Sequence, residues 1–297
     1  MSSTEFVQQT INALSLGSIY ALVAVGLAMV FSILRLINFA HGEVLMLGAF
    51  ATYYFADAGA PFVFAAVGAV LVTVVIGMSM ERVAYRPLRG APDVALLLTS
   101  LGVSIAVQNG AILGFGATPK PFPTPDVISK AREYGGIRIT GTNLVTICVA
   151  LVVMAGLTYF VTRTSLGTQM RAAAENLQAA QLMGINTTTV IVTAFIVGSA
   201  LAGIAGVLWG ARVGRIEPLM GFIPVMKAFV ATVIGGFGSI PGAVIGAFAL
   251  GFGEIFLVAL LPDDLTSYRD AFVFGALILI LLVRPQGILG STEPEKI

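Results

Sequence analysis

The chain has 297 residues, 57% hydrophobic and only 10% charged, with a formal net charge of +1 and a mean hydropathy of +0.96. This composition lies outside the range of soluble domains and makes the chain an integral membrane protein. The near-neutral charge gives no sign of a nucleic-acid partner, and a lone cysteine, Cys148, excludes an intrachain disulfide or a thiolate metal site and is expected to serve packing as a small hydrophobe.

A bilayer core of about 30 Å takes about 20 helical residues to cross. Apolar windows of that kind lie near 9–33, 39–56, 61–80, 93–115, 143–161, 187–211, 222–237, 239–261 and 270–284. Runs such as "VTICVALVVMAGLTYFV" are apolar on every face, which excludes the alternating pattern of a barrel. The fold class expected is therefore all-α, a polytopic membrane helix bundle. The opening "MSSTEFVQQT" has no Lys or Arg, so the first run is expected to remain as a span.

Between the first two windows stands "LRLINFAHGEVLML", with Arg35, Asn38, the only histidine, His41, and Glu43 within nine residues. Polar groups at membrane depth are tolerated where they line water or pack against protein. Asn38, His41 and Glu43 are thus candidates for a translocation pathway. A plain turn is the alternative, with Glu43 near the start of the second helix where its charge suits the dipole. A proton relay through His41 would need further titratable groups across the membrane, and the spans offer few.

After the third window, "ERVAYRPLRG" is the densest short basic loop, and it is expected on the cytoplasmic side. The wider tally does not settle orientation. Arg35, Arg82, Arg86, Arg89, Arg163, Arg171, Arg284 and Lys296 fall on one side, against Lys120, Lys130, Arg132, Arg138, Arg212, Arg215 and Arg269 on the other. Four of the latter lie in the proline-rich loop 116–142, which reads as an external cap.

Between the fifth and sixth windows, "TRTSLGTQMRAAAENLQAAQLMGINTTT" (162–189) is polar yet helical in pattern. Ala173, Leu177, Ala180 and Gly184 share one face of a helix starting near Thr168, and Gly184 supplies its stop. The polar face lacks the basic residues and aromatic anchors of a lipid-surface helix, so the small-residue face is expected to dock on a partner protein.

Gly206, Gly210 and Gly214 recur at four-residue spacing in and just past the sixth window, and Gly242 and Gly246 in the eighth, a pattern that lets helix backbones approach within one chain or across a dimer. The seventh window is short, contains Lys227 and ends in "GGFGSIPG". It reads either as a full span or as a half-helix that turns back, which admits nine spans or eight plus a broken element. Lys227 and Glu254 each fall in an apolar run, roughly 18 to 23 Å from the turn near Ser239 at about 1.5 Å per residue. An ion at the bilayer centre costs about 2.5–3.5 kcal/mol, so the two either pair near the outer face or snorkel separately.

Residues 37–51, "INFAHGEVLMLGAFA", align without a gap on 235–249, "GGFGSIPGAVIGAFA". Two interrupted elements, one in each half, form the pattern of pseudo-repeated transporters and add Gly236, Gly238 and Ser239 to the pathway candidates. A chance match of common membrane residues is the alternative.

Three stretches, "YALVAVGLAMVFSILRLINFAHGEVLMLGAF", "RAAAENLQAAQLMGINT" and "VIGGFGSIPGAVIGA", resemble the H-type permease subunit of branched-chain amino acid ABC importers. The resemblance covers nearly the whole chain, 1–297, as a single permease domain. It implies a second homologous permease subunit (or a second copy), two cytoplasmic ABC ATPases and an external substrate-binding protein. ATP and Mg²⁺ would be used by the ATPases and no cofactor bound by this chain. It further implies that Ala173, Ala174, Glu175 and Gly184 match the coupling helix that seats in the ATPase, although the order here is "AAAENLQAA" where many importer permeases begin Glu-Ala-Ala. Relatives that carry urea or short amides share these motifs, so the cargo class stays open between them.

The residues agree independently on one point. No G-x-x-x-x-G-K-[ST] occurs, so the chain cannot hydrolyse ATP by itself. With one histidine, no paired acids in a span and no H-E-x-x-H, no catalytic or metal site is expected. A self-sufficient secondary carrier is the runner-up.

Overall fold

The computed structural model describes residues 2–283 and 287–288, so Arg284 and Lys296 of the charge tally lie outside the described residues. Each apolar window coincides with a helix. In chain order these are α1 (Ser3–Leu34), α2 (His41–Asp57), α3 (Phe62–Met80), α4 (Asp93–Phe115), α6 (Gly141–Arg163), α9 (Thr187–Val213), α10 (Phe222–Gly235), α11 (Ile240–Leu260) and α12 (Arg269–Val283). Between them lie the short α5 (Asp126–Ser129), α7 (Ser165–Glu175) and α8 (Leu177–Leu182). Six helices are long and apolar enough to cross a membrane: α1, α3 with its extension to Leu88, α4, α6, α9 and α11. The remaining apolar helices α2, α10 and α12 have 17, 14 and 15 residues.

The N-terminal helix is the central post. Of its most apolar stretch 89% is buried, against 22%, 22% and 17% for α3, α4 and α6. α1 packs on α6, α9, α10 and α11, while α2 and α3 pack on α9. Helices at the periphery turn Phe64, Leu71, Leu98, Leu113, Leu151 and Val152 outward, apolar residues that suit a lipid surround. Ser2 starts α1 with a reciprocal cap: its hydroxyl accepts from Glu5 N at 3.2 Å, and its own N–H donates to the Glu5 carboxylate at 2.8 Å.

Close helix contacts depend on missing side chains. A Cβ on Gly206 (α9) would run into the Leu45 carbonyl of α2, and one on Gly246 (α11) into the Ala231 carbonyl of α10. The glycine spacing thus serves packing inside this chain at both positions. Gly214 does something else, ending α9 at φ +75.

Three departures from the sequence reading stand out. "ERVAYRPLRG" is not an open loop, because α3 continues through a π-helical segment, Glu81–Tyr85, and a 3-10 turn, Arg86–Leu88. Glu81 is buried there and pairs with Arg89. The all-α expectation also needs two small sheets added. In loop 116–142, β1 (Lys120–Pro121) pairs with β4 (Arg215–Ile216) after α9, and β2 (Ala131–Tyr134) with β3 (Ile137–Thr140). These strands satisfy backbone groups of a loop whose prolines limit regular helix to the single short turn of α5. Cys148, finally, faces outward on α6 instead of filling a packed position.

Candidate functional site

Three polar regions interrupt the apolar bundle. The first is the α1–α2 junction. α1 ends where Arg35 takes a left-handed conformation (φ 54) and its N–H closes on the Phe31 carbonyl. Asn38 Oδ1 accepts from Tyr85 Oη at 2.7 Å, and Ser100 Oγ donates to the Ile37 carbonyl at 3.0 Å. Glu43, in the first turn of α2, accepts at Oε1 from Ser104 Oγ (2.9 Å) and Gln108 Nε2 (2.7 Å) of α4. His41 points the other way, its ring packed on the backbone of Gly26 and near Gly198; a Cβ on Gly26 would stand 2.6 Å from His41 Nε2.

Asn38, His41 and Glu43 are buried, at 4%, 2% and 0% exposure, and face three different neighbours. They are packed against protein and do not line an open channel in this conformation. Among the described residues His41 Nε2 and Glu43 Oε2 have no hydrogen-bond partner. The remaining pathway candidates form the α10–α11 turn: Gly236 (φ 106) and Gly238 (φ 81) bend the chain, and Ser239 Oγ caps α11 by accepting from Gly242 N at 3.1 Å. Gly238 and Ser239 open onto a groove of about 860 Å³ between α1, α6, α7 and α11. The aligned residues Phe39 and Phe237 both lie against Phe229, at centroid distances of 6.0 and 5.6 Å.

The second region is the segment between α6 and α9. The single helix expected from Thr168 to Gly184 is instead two. Asn176 leaves helical geometry (φ −155, ψ 107) and caps α8, its Oδ1 accepting from Ala179 N at 2.9 Å. Asparagine favours that cap over a helix interior because its short amide competes for backbone groups. Gly184 ends α8 at φ +83, with open space around it. Ala173 and Ala180 are buried, Ala174 and Leu177 half-buried, whereas Glu175, Gln178, Gln181, Leu182 and Met183 are exposed. The small-residue stripe therefore anchors the segment to its own bundle, and the outward surface is formed by its neighbours.

The third region is an ion cluster among α1, α10, α11 and α12, with a buried centre, Lys227 and Glu254, and a half-exposed edge, Arg269 and Asp270. Lys227 Nζ lies 2.8 Å from Glu254 Oε1 and 2.9 Å from Asp270 Oδ1. Tyr20 Oη donates to Glu254 Oε2 at 2.9 Å, and Arg269 Nε is 3.3 Å from Glu254 Oε1. Lys227 and Glu254 are 1% and 3% exposed, so they do not snorkel separately. Nearby, Arg212 Nη1 donates to Ser15 Oγ at 3.0 Å and Asn143 Oδ1 at 3.4 Å. Spacing gave no reason to couple Tyr20 with Glu254 or Ser104 with Glu43, because a lone hydroxyl in an apolar run carries no azimuth relative to a distant helix.

Residues 9–282 match the family described as branched-chain amino acid transport system / permease component. The chain is similar to the high-affinity branched-chain amino acid transport system permease protein BraD of Pseudomonas aeruginosa, 41% identical over 98% of both chains. It is likewise similar to the corresponding protein LivH of Escherichia coli K12, 42% identical over 98% of both. A probable LivH of Methanocaldococcus jannaschii is 25% identical over 94% of this chain and 91% of that one. Among solved structures, PsaBC from Streptococcus pneumoniae in complex with Fab shares the fold, with a TM-score of 0.51 at 11% identity, over 93% of this chain and 91% of that one.

Proposed function

The chain belongs to the branched-chain amino acid transport permease family, and from that premise we propose that it is the pore-forming subunit of an ATP-driven importer of branched-chain or other small neutral amino acids. It is a multi-pass protein of the bacterial cytoplasmic membrane, and a translocation subunit rather than an enzyme. Two cytoplasmic ATPases supply the energy and use the ATP and Mg²⁺, an external binding protein delivers the cargo, and a second homologous permease completes the pair. Urea or short-amide cargo and a self-sufficient carrier are the less favoured readings.

The observation that carries the coupling reading is the build of 165–184. Two short helices rest on the bundle through Ala173 and Ala180 and turn Glu175, Leu182 and Met183 outward, the last two 89% and 83% exposed. Such apolar exposure at a polar end of the molecule suits a protein partner. In this reading Ala173, Ala174, Leu177 and Ala180 hold the segment to the bundle, Glu175 and Gly184 shape its contact with the ATPase, and ATPase closure moves α7 and α8. The external cap is loop 116–142.

The span count that fits best is eight, from the six long helices with α2 and α12. α10, about 21 Å long at about 1.5 Å per residue, is read as a half-helix because the chain turns straight back into α11 at Gly236 and Gly238. The contact of Phe39 and Phe237 with one ring, Phe229, supports two related halves meeting there. Asn38, His41, Glu43, Gly236, Gly238 and Ser239 flank that seam and become the pathway when the halves part. The Lys227–Glu254 pair steadies the outer gate.

Reconstitution tests the whole. The chain alone in liposomes should be silent, and with its partner permease, ATPases and binding protein it should accumulate leucine only with ATP inside. Uptake by the isolated chain would overturn the proposal.

A further inference from the structure

Two helical glycines leave space where others make contact. Gly246 of α11 meets the Ala231 carbonyl, but Gly253 further along α11 and Gly275 of α12 have nothing within 4 Å of where a Cβ would stand. Both line a cavity of about 800 Å³ between α11 and α12, within the roughly 300–1,000 Å³ of small-molecule sites. Its walls are apolar, with Leu250 and Leu257 on α11, Phe272 and Ile278 on α12 and Ile234 at the end of α10. Glu254 is the one ionisable residue of the lining, and its carboxylate is engaged by Lys227, Tyr20 and Arg269. The groove therefore offers an occupant no free polar group and suits a hydrocarbon.

The dimensions decide between occupants. The helical walls, 249–257 and 271–279, each rise about 12 Å at about 1.5 Å per residue. That approaches the depth of one leaflet, half of a core of about 30 Å, whereas a helix of a second permease would need the full core and a trough about 10 Å wide. The remaining segments of this chain, 284–286 and 289–297, carry Arg284, Glu293, Glu295 and Lys296, and their burial against such walls would be unfavourable. Ile278 and Leu279 are 58% and 65% exposed, so the groove opens sideways to the membrane. At its other end Ile288 N–H donates to the Ile234 carbonyl at 2.7 Å and forms a floor.

We infer that this groove holds one acyl chain of a membrane phospholipid, inserted between α11 and α12 from the end where Leu257 and Ala271 lie. The mouth is at the start of α12, where Arg269 and Asp270 join Lys227 and Glu254 in a formally neutral set. Recognition thus resides in the chain and not in the headgroup. The occupant fills the gap beside α12 and so keeps Arg269 and Asp270 against the buried pair. This needs only a membrane setting and stands apart from the importer reading.

The test uses the full chain. Washed in mild detergent, it should retain a single phospholipid by native mass spectrometry, and Gly253→Leu/Gly275→Leu, which fills the groove, should lose it. A phospholipid with a photoreactive group at the chain end should label 249–257 and 271–279, and not the outward rows of α3 and α4 at Leu71 and Leu98. After complete delipidation, dioleoyl phosphatidylethanolamine and dioleoyl phosphatidylglycerol should raise Tm alike, by about 2–4 °C, as a ligand of the native state does. A dihexanoyl lipid should not. Equal retention in the filled variant, labelling spread evenly over α3, α4 and α12, or a rise matched by the dihexanoyl lipid would overturn the inference. A rise with the anionic lipid alone would move recognition to the headgroup and overturn it as well. If the double variant does not fold, labelling and chain length in the unaltered chain decide.

Discussion

Lys227 of α10 and Glu254 of α11 stand 2.8 Å apart, Nζ to Oε1, both nearly sealed from solvent, and each has a second opposite charge from the start of α12. Lys227→Met leaves Glu254 with Arg269 and Tyr20, and Glu254→Gln leaves Lys227 with Asp270. Each single change should destabilise the chain, but the double variant by less than the sum, with a coupling of about 0.5–3 kcal/mol. Thermal unfolding in detergent measures the cycle, and simple additivity would remove the pair from the account.

Gly206 and Gly156 make a matched contrast. The first faces the Leu45 carbonyl directly and the second has nothing within 4 Å. Gly206→Ala should cost about 1–3 kcal/mol by overpacking. Gly156→Ala, in the exposed middle of α6, should be neutral or gain about 0.5–1 kcal/mol from helix propensity. The same unfolding assay separates them.

Gln108 donates at 2.7 Å to Glu43, whose other oxygen already lacks a partner. Gln108→Leu should destabilise by about 1–3 kcal/mol, because the buried carboxylate loses one of its two donors and keeps only Ser104. Asn109→Leu, one position away with its amide on its own helix backbone at Ile105, should do much less.

At Gly184, φ is +83, which proline cannot adopt. Gly184→Pro is expected to lower ATP-driven uptake about 5- to 150-fold, the range of a lost coupling of about 1–3 kcal/mol. Far-UV circular dichroism should hardly change, since α8 is only six residues long. Retained uptake would remove α8 from the coupling path.

Sidedness follows from one exposed residue. With Cys148 replaced by serine, Gln181→Cys should resist an impermeant thiol reagent in intact cells and react after permeabilisation. Labelling from outside would invert the topology.

How far the sequence could be read depended on the kind of information each feature carries. Helix positions were legible because an apolar run needs only its own residues to be recognised, and α4 begins and ends where its window did. The break at Asn176 was less so: the periodicity of Ala173, Leu177 and Ala180 survives across it, because an asparagine cap rotates the chain without moving the apolar stripe off the core. The extension of α3 past Met80 was hidden by its charges. Arg82 and Arg86 stay exposed while Glu81 and Tyr85 are buried, a helical alternation inside what composition reads as a loop. Lys227 and Glu254 could be ranked by depth along their helices, but Tyr20 enters from a helix 234 residues earlier, and nothing local to it names Glu254.

The place of α1 at the centre has a consequence for how the molecule is made. Gly17 of α1 lies against Gly251 of α11, so the backbone contact between these helices cannot form until the ribosome has added more than two hundred further residues. At about 5–20 residues per second, the first helix waits roughly 10 to 50 s in the bilayer before that neighbour arrives. Its own strong hydropathy, 2.2 over the best window, lets it insert unaided, so it serves as the template on which later helices are collected one by one. Defects in the last third of the chain should therefore surface as failed assembly around an already inserted first helix, not as failed insertion.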